Sequence, residues 1–319
     1  MCWPTRTPPQ RPTELPMKLL SQVEAVDHAL VKAGVHTGQG TTNTWDEAAW
    51  LVLWALGWPL ETALEVNADE PHALANLVLS PTQLAAIESA RDQRIAKRVP
   101  MAYIAKEAWL QGLSFYVDER VIIPRSLIAE VLVSGSLLPW MATPPKRILD
   151  LCTGNGSLGI LSAVQWPESF VVGSDVSEPA LEVARINALR HGLQARMQWQ
   201  LCDGLEAFST LKEHERFDLV LCNPPYVPHT IMQALPAEFK AEPSLALAGG
   251  PDGMDFIQTV LPSLHPLLNE HGILVLEIGH EIDAFGKRFP GLSFVSLSTE
   301  ETDEQVLLLL ASELKTHFS

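Results

Sequence analysis

The chain has 319 residues, of which 47% are apolar and 19% are charged, so it can bury a large core and is not intrinsically disordered. Its net charge of −16 argues against a general nucleic-acid binder, because such proteins carry basic surfaces, and it suits a basic protein partner. The most apolar uncharged run, residues 48–60, is shorter than the roughly 20 residues that cross a bilayer, so no membrane span is expected.

Residues 1–18 are predicted to form a flexible tail, because they are rich in proline and lack the apolar stretch of a signal peptide. The cysteines Cys2, Cys152, Cys202 and Cys222 form no Cys-x-x-Cys pair and have no histidine cluster beside them, so no metal site is expected. Three of them lie in or beside apolar runs and are interpreted as buried, reduced thiols, which favours a cytoplasmic protein.

Two helices are predicted before residue 60. The first covers residues 19–33 and ends at Gly34. For the second, Thr44 is the expected N-cap, with Glu47 as its capping-box partner, and the helix ends near Gly57.

A third helix is predicted over residues 81–98, capped by Ser80, which makes residues 19–100 a small helical domain. Four tryptophans between positions 45 and 58 are interpreted as its core, with a docking surface for a protein as the alternative. A basic run along the third helix is interpreted as a solvated face, or alternatively as an RNA contact, and consists of Arg91, Arg94, Lys97 and Arg98.

Residues 101–125 are predicted to form a β-hairpin linker, because residues 109–117 alternate around a glycine turn. From residue 147, strand-like and helix-like patterns alternate, which predicts an open α/β sheet, mostly parallel, with helices on both faces. Strands are expected at residues 147–151, 170–173, 197–202, 217–222, 272–278, 292–297 and 305–310, and helices at residues 157–165 and 178–191. The last two strands are joined too closely for a parallel crossover and should be antiparallel.

A glycine-rich loop, Asp150-Leu-Cys-Thr-Gly154-Asn-Gly156, lies where the first strand of this sheet meets its first helix. Glycines at such a junction let the backbone turn tightly and approach a ligand closely. Alone, the loop indicates either a dinucleotide-type ligand or a simple strand–helix turn.

Two carboxylates follow the next strands. Asp175 can accept hydrogen bonds from both hydroxyls of a ribose, as in an NAD dehydrogenase, or it can cap a helix. Asp203, followed by Gly204, can meet an adenine amino group. Together with the loop, these residues predict a nucleoside-containing ligand at one edge of the sheet.

The tetrapeptide Asn223-Pro224-Pro225-Tyr226 directly follows the strand at residues 217–222. An amide nitrogen is a poor nucleophile, and its two protons should be held by acceptors before it attacks a methyl group. The Asn223 side-chain oxygen and the Pro224 carbonyl are two such acceptors, and the prolines fix the chain that carries them. Tyr226 can pack flat against the planar amide.

These motifs resemble those of the HemK-like protein glutamine methyltransferases, from about residue 20 to the end and most strongly over residues 100–280. Later segments are also similar, namely Glu242-Pro243, Ala248-Gly249-Gly250, Asp252-Gly253 and Glu277-Ile278-Gly279. The Asn-Pro-Pro-Tyr motif is shared with adenine methyltransferases that act on DNA, an alternative that the acidic charge disfavours.

The resemblance implies a seven-stranded, Rossmann-like methyltransferase sheet over residues 126–319, preceded by the helical domain, which would recognise the substrate. It implies S-adenosylmethionine as cofactor and no metal. The catalytic residues it implies are Asn223, Pro224, Pro225 and Tyr226, and the cofactor-binding residues are Asp150, Gly154, Asn155, Gly156, Asp175, Val176, Asp203, Gly204 and Asn223. Residues 227–251 form a long connection that we expect to shape the substrate channel.

Two branches of this family differ just after the hairpin, at a segment that includes Arg125 and that we expect at the lip of the site. The release-factor branch typically has Pro-Arg-Pro-Glu-Thr-Glu there, whereas this chain has Pro124-Arg-Ser-Leu-Ile-Ala-Glu130. This segment and residues 115–120 and 235–239 resemble the branch that modifies the third protein of the large ribosomal subunit, although Leu127 stands where that branch often has proline. The expected partner is therefore a basic ribosomal protein; release factors, DNA adenine and a non-catalytic role in ribosome assembly are the alternatives.

Overall fold

A computed structural model describes residues 18–60, 62 and 74–319. The predicted tail lies outside these residues, apart from Lys18, which forms a β-bridge with Val78. The chain divides into two compact units, one made of the described residues up to Thr37 and of Thr41–Lys97, the other of Gly38–Gly40 and Arg98–Ser319. Within the described ranges, no helix combines the length and the apolarity needed to cross a membrane.

The first unit is built from three helices, α1 (Leu19–Lys32), α2 (Thr44–Leu56) and α3 (Pro81–Lys97). Helix α1 buries Leu19, Val23, Val26 and Leu30, whose spacing places them on one face. Gly57 ends α2 in the left-handed conformation, and Ser80 accepts a hydrogen bond from the backbone N–H of Gln83 at the start of α3. The three predicted helices are confirmed.

Two details of this unit differ from the prediction. The N-cap of α2 is Asn43, whose side chain accepts the backbone N–H of Asp46 at 2.8 Å, so Thr44 is the first helical residue and forms no capping box. Glu47 is instead buried and paired with Arg94 at 2.6 Å. Interpreting the basic run as a solvated face was therefore wrong for Arg94, which is only 1% exposed and needs Glu47 to compensate its buried charge.

The tryptophans of α2 divide between the core and the surface. Trp50 is buried, whereas Trp54, one turn later, is 39% exposed. Trp45 and Trp58 are half-buried. Core packing is therefore confirmed for Trp50, but it does not account for Trp54.

The second unit contains the sheet and the hairpin. Its strands are β1 (Ala108–Leu110), β2 (Leu113–Phe115), β3 (Arg147–Leu151), β4 (Phe170–Asp175), β5 (Met197–Leu201), β6 (Phe217–Cys222), β7 (Leu268–Glu277), β8 (Val295–Ser296) and β9 (Val306–Leu310). Its helices are α4 (Met101–Ala105), α5 (Ile128–Ser134), α6 (Ser157–Gln165), α7 (Glu178–Arg190), α8 (His229–Ala234), α9 (Asp255–Val260), α10 (Ile282–Arg288) and α11 (Ala311–Phe318).

Seven strands form one sheet in the order β5-β4-β3-β6-β7-β9-β8. In the sheet, β5, β4, β3, β6 and β7 run parallel to one another, and β9 is antiparallel to both β7 and β8. The antiparallel pairing of β8 with β9 confirms the prediction from their short connection. Separate apolar clusters cover the two faces of the sheet. The predicted seven-stranded α/β sheet is confirmed.

The predicted hairpin is formed by β1 and β2, which pair antiparallel around Gly112. Helix α4 precedes it and was not predicted. It buries Met101, Ala102 and Tyr103, and the Tyr103 hydroxyl donates a hydrogen bond to the carbonyl oxygen of Val121. The hairpin region is therefore packed into the second unit by its own apolar residues.

Candidate active site

The order of the strands creates a crevice at one edge of the sheet. From β3 the chain moves outward through β4 and β5 and then returns to β6 on the other side of β3. Ligands of open α/β sheets bind at such a reversal, beyond the carboxyl ends of the strands. The predicted motifs all follow these ends, with the glycine-rich loop after β3 and Asn223 after β6.

The glycine-rich loop makes a sharp turn between β3 and α6. Cys152, Gly154 and Gly156 all have positive φ angles, of 59°, 54° and 82°. A Cβ at Gly156 would lie 3.1 Å from the Cβ of Ala184, so this position favours glycine both for its backbone conformation and for its close packing.

Asp150 lies beneath this loop rather than in the cavity that opens above it. It is fully buried, and its carboxylate accepts hydrogen bonds from the Thr153 hydroxyl and from the backbone N–H of Gly159. Neither Asp150 nor Gly156 is among the described residues that line the cavity. The structure therefore does not place them for the direct cofactor contact that the sequence suggested. Instead, they shape the loop.

Burial raises the pKa of Asp150 to about 7, against an ordinary value near 3.8. Because this pKa is raised on folding, protonated Asp150 adds to the free energy of unfolding. This contribution is fully present below about pH 4 and is lost as the pH rises to about 7. Asp150→Asn should remove this loss, so the free energy of unfolding of wild type relative to the variant is expected to fall between pH 5 and pH 8, by roughly 3 kcal/mol, since about two pH units of the interval contribute at about 1.4 kcal/mol each. Melting curves across this range test the prediction, and a constant difference would contradict it.

A cavity opens above the loop, and most of the predicted cofactor residues line it: Gly154, Asn155, Asp175, Val176, Asp203, Gly204 and Asn223. The Asp175 carboxylate accepts the backbone N–H groups of Gly154 and Ser177, both at 2.9 Å. Burial raises the pKa of this carboxyl group. Asp175 thus also braces the loop and the residue that precedes α7. The alternative helix-cap interpretation was wrong, because the N-cap of α7 is Ser177, whose side chain accepts the backbone N–H of Ala180.

A second cavity lies on the other side of the Asn-Pro-Pro-Tyr segment. It is lined by Pro224 and Tyr226, by Glu277, and by residues from the long connection: Val227, Ile231, Leu235, Phe239, Ala246 and Leu247. Asn223 lines both cavities, as do Ile122 and Arg125. The connecting segment thus forms a wall of the cavity next to the motif, where the sequence led us to expect it.

The lip residue Arg125 is held by Glu242. Two guanidinium nitrogens of Arg125 contact the two carboxylate oxygens of Glu242, each at 2.7 Å, and the backbone N–H of Ile123 donates to the same carboxylate at 3.1 Å. Burial disfavours the charge on Arg125, but the Glu242 carboxylate outweighs this effect and raises the pKa of the guanidinium. The guanidinium also lies 5.2 Å from the centre of the Phe239 ring, so it joins the lip to the connecting segment.

Glu277 is a site residue to which the sequence gave no role, although it lies in a segment that resembles the family. It ends β7, is 3% exposed and accepts a hydrogen bond from the Tyr226 hydroxyl at 2.9 Å. One sequence signal could have indicated a role for Glu277: it is a carboxylate at the end of an apolar strand, at the ligand-binding edge of the sheet.

The sheet, the cavity after β3 and the Asn-Pro-Pro-Tyr segment after β6 define an S-adenosylmethionine-dependent methyltransferase. In agreement, residues 132–244 match the family model described as the methyltransferase small domain.

Curated relatives identify the family more closely. The ribosomal protein uL3 glutamine methyltransferase of Bordetella pertussis is 44% identical over 89% of this chain and 92% of its own length. The proteins of the same name from Burkholderia pseudomallei and Neisseria meningitidis serogroup B are 40% and 39% identical, over 91% and 89% of this chain and 94% and 89% of their own lengths. The chain belongs to the ribosomal protein uL3 glutamine methyltransferase family.

Proposed function

We propose that this chain transfers a methyl group from S-adenosylmethionine to the side-chain amide nitrogen of a glutamine in ribosomal protein uL3, the third protein of the large subunit. The observation that carries the proposal is the position of Asn223, which lines both the cofactor cavity and the second cavity. A group at this boundary can hold the accepting amide where it faces the methyl donor. The proteins with at least 39% identity cited above bear this function in their names.

The residues of the first cavity fit the cofactor. The turn at Gly154 has open space beside it, since a Cβ there would meet nothing within 4 Å, and Asp175 and Asp203 supply acceptors for hydroxyl and amino groups. We assign Asp175 to the ribose and Asp203 to the adenine edge, with Asn155, Val176 and Gly204 completing the walls. When bound, S-adenosylmethionine supplies an electrophilic methyl group on a sulfonium.

The residues of this chain contribute to the reaction by positioning the substrate amide. The Asn223 side-chain oxygen and the Pro224 carbonyl accept the two amide protons, which turns the nitrogen lone pair away from its conjugation with the carbonyl. Pro225 keeps the segment rigid, and the Tyr226 ring packs on the amide plane. Fixing the nucleophile in this way lowers the barrier mainly through orientation and through electrostatics prepared in advance. The amide nitrogen forms its bond to the methyl carbon as the bond between that carbon and sulfur breaks, and the nitrogen then loses one proton to solvent.

The cofactor assignment predicts that Asp175→Ala weakens S-adenosylmethionine binding by about tenfold or more, because a hydrogen bond to a charged group contributes roughly 1.5–3 kcal/mol. Titration calorimetry measures the change directly. Glu206→Ala is the matched control, since Glu206 is an exposed acid just beyond Gly204 that is not among the cavity residues. Equal affinity in the Asp175 variant and wild type would remove Asp175 from the ribose site.

The substrate assignment draws on charge as well as on the relatives. A net charge of −16 favours encounter with a basic protein such as a ribosomal protein, and it disfavours DNA. The described cysteines, Cys152, Cys202 and Cys222, are all free thiols, and we place the reaction in the cytoplasm, where thiols stay reduced. Recognition of the substrate by residues 19–100 stays a prediction.

The test is to incubate the protein with isotope-labelled S-adenosylmethionine and, separately, with purified uL3, a peptide-chain release factor and duplex DNA. We expect label on a glutamine of uL3, mapped by mass spectrometry, at a rate well above that for the release factor. A comparable or faster rate on the release factor would overturn the substrate while leaving the chemistry. Label on adenine alone would overturn both.

A further inference from the structure

The Glu277 carboxylate collects hydrogen bonds from two separate parts of the site. One oxygen, Oε1, accepts from the Tyr226 hydroxyl at 2.9 Å. The other, Oε2, accepts from the Ser126 hydroxyl at 2.5 Å and from the backbone N–H of Leu127 at 2.9 Å. Among the described residues no lysine, arginine or histidine forms an ion pair with it, so neutral hydroxyl and backbone N–H donors support this buried group.

Tyr226 is confined on its other sides by backbone. A Cβ at Gly279 would lie 2.6 Å from Cε2 of the tyrosine ring, and a Cβ at Gly249 would lie 2.6 Å from the Tyr226 Cα. The ring can therefore approach Gly279 only because that position is glycine. The Tyr226 backbone is thus confined by Gly249, and one edge of the ring lies against Gly279. The hydroxyl group of the ring is held by its hydrogen bond to Glu277.

The donors on Oε2 belong to the segment at the lip. Ser126 lines the cofactor cavity, and Leu127 lines the second cavity beside Tyr226 and Glu277. Both residues lie at the start of α5, directly after Arg125. One carboxylate oxygen of Glu277 therefore binds the Ser126–Leu127 segment, which contributes to both cavities. The other oxygen binds the Tyr226 hydroxyl in the second cavity.

We propose that Glu277 is a positioning residue that sets the Tyr226 ring and the Ser126–Leu127 segment in register with each other, and thereby places the substrate amide against the methyl donor. Glu277 acts through Tyr226 and does not itself touch the reacting atoms. This role rests on the proposed function, because it requires the accepting amide to lie on the tyrosine ring. It predicts that Ser126 and Tyr226, whose hydroxyl groups both donate to Glu277, are energetically coupled.

The experiment is a set of double-mutant cycles on the full chain with uL3 as substrate. Glu277→Gln and Tyr226→Phe should each lower kcat by about tenfold, the effect of losing a hydrogen bond to a charged group. The KM for S-adenosylmethionine should stay within about twofold of wild type, since positioning acts on orientation rather than on cofactor binding. The double variant should be no slower than the slower single variant, because both remove the same link. Glu107→Gln, which alters an exposed pair with Arg190, is the control and should keep wild-type kcat.

Additive losses in kcat, or a loss confined to cofactor affinity, would overturn the proposal. If Glu277→Gln does not fold, the cycle of Ser126→Ala with Tyr226→Phe replaces it, and independent losses there would be equally decisive. Wild-type protein that transfers no methyl to uL3 would overturn the proposed function instead. In that case the melting temperatures of the same variants are compared. Additive decreases in melting temperature would contradict coupling of Ser126 and Tyr226 through Glu277, and non-additive decreases would support it.

Discussion

Asn223→Ala is expected to lower kcat for methyl transfer by about 100- to 1000-fold, the usual effect of removing one preorganised transition-state contact. Asn223 follows the last residue of β6 and lines both cavities, so under the proposed function its amide oxygen is the acceptor at the boundary between cofactor and substrate. Alanine keeps the backbone acceptor at Pro224 but leaves one amide proton without a partner. The nitrogen lone pair then stays conjugated with its carbonyl and attacks poorly. Single-turnover rates with saturating cofactor and uL3 measure the loss.

Two controls distinguish a loss of this role from a general loss of structure. The dissociation constant of S-adenosylmethionine should remain close to that of wild type, because the cavity keeps its loop and Asp175. Asn269→Ala removes an amide that donates to Asp218 at the beginning of β7, at the opposite end of the sheet from the site, and should leave kcat unchanged. Near-normal turnover in the Asn223 variant would contradict the amide-holding mechanism.

The sheet could be predicted from sequence because central parallel strands are buried on both faces and appear as continuous apolar runs. The expected bounds of β3, α6 and β6 match the structure. The motif positions followed from the same reasoning, since residues that directly follow parallel strands meet at one edge. The positions of Asn223 and Asp175 at the cavity were predicted in this way.

Features that depend on a distant partner could not be predicted. Nothing near Arg94 in the sequence indicates that Glu47, on another helix, neutralises it inside the first unit. The direction of a side chain at a strand end is equally hidden: Asp150 turns beneath its loop, whereas Asp175 lines the cavity. Glu277 ends its strand as Asp175 does, and only the folded chain shows that its partners are a tyrosine hydroxyl and the lip.

Gly253→Ala is expected to reduce kcat by about 100-fold, because misplacing a positioning group by an ångström can have an effect of this size. A Cβ at residue 253 would lie 2.4 Å from the backbone carbonyl oxygen of Tyr226. That oxygen belongs to a backbone held in a β-bridge between Val227 and Ala248, so it cannot retreat as a flexible side chain would. The added methyl group must therefore displace the Asn-Pro-Pro-Tyr segment or the connecting segment. Steady-state kinetics with uL3 show the loss.

Gly192→Ala is the matched control for this variant. Gly192 has a φ of 67°, close to the 81° of Gly253, but a Cβ there would meet nothing within 4 Å. Both variants carry the same kind of backbone strain, about 1–2 kcal/mol for an L-residue in the left-handed region, and should melt at lower temperature than wild type. Only Gly253→Ala should also lose turnover in the fraction that stays folded. Equal kcat values for the two folded variants would show that close approach at Gly253 does not set the position of Tyr226.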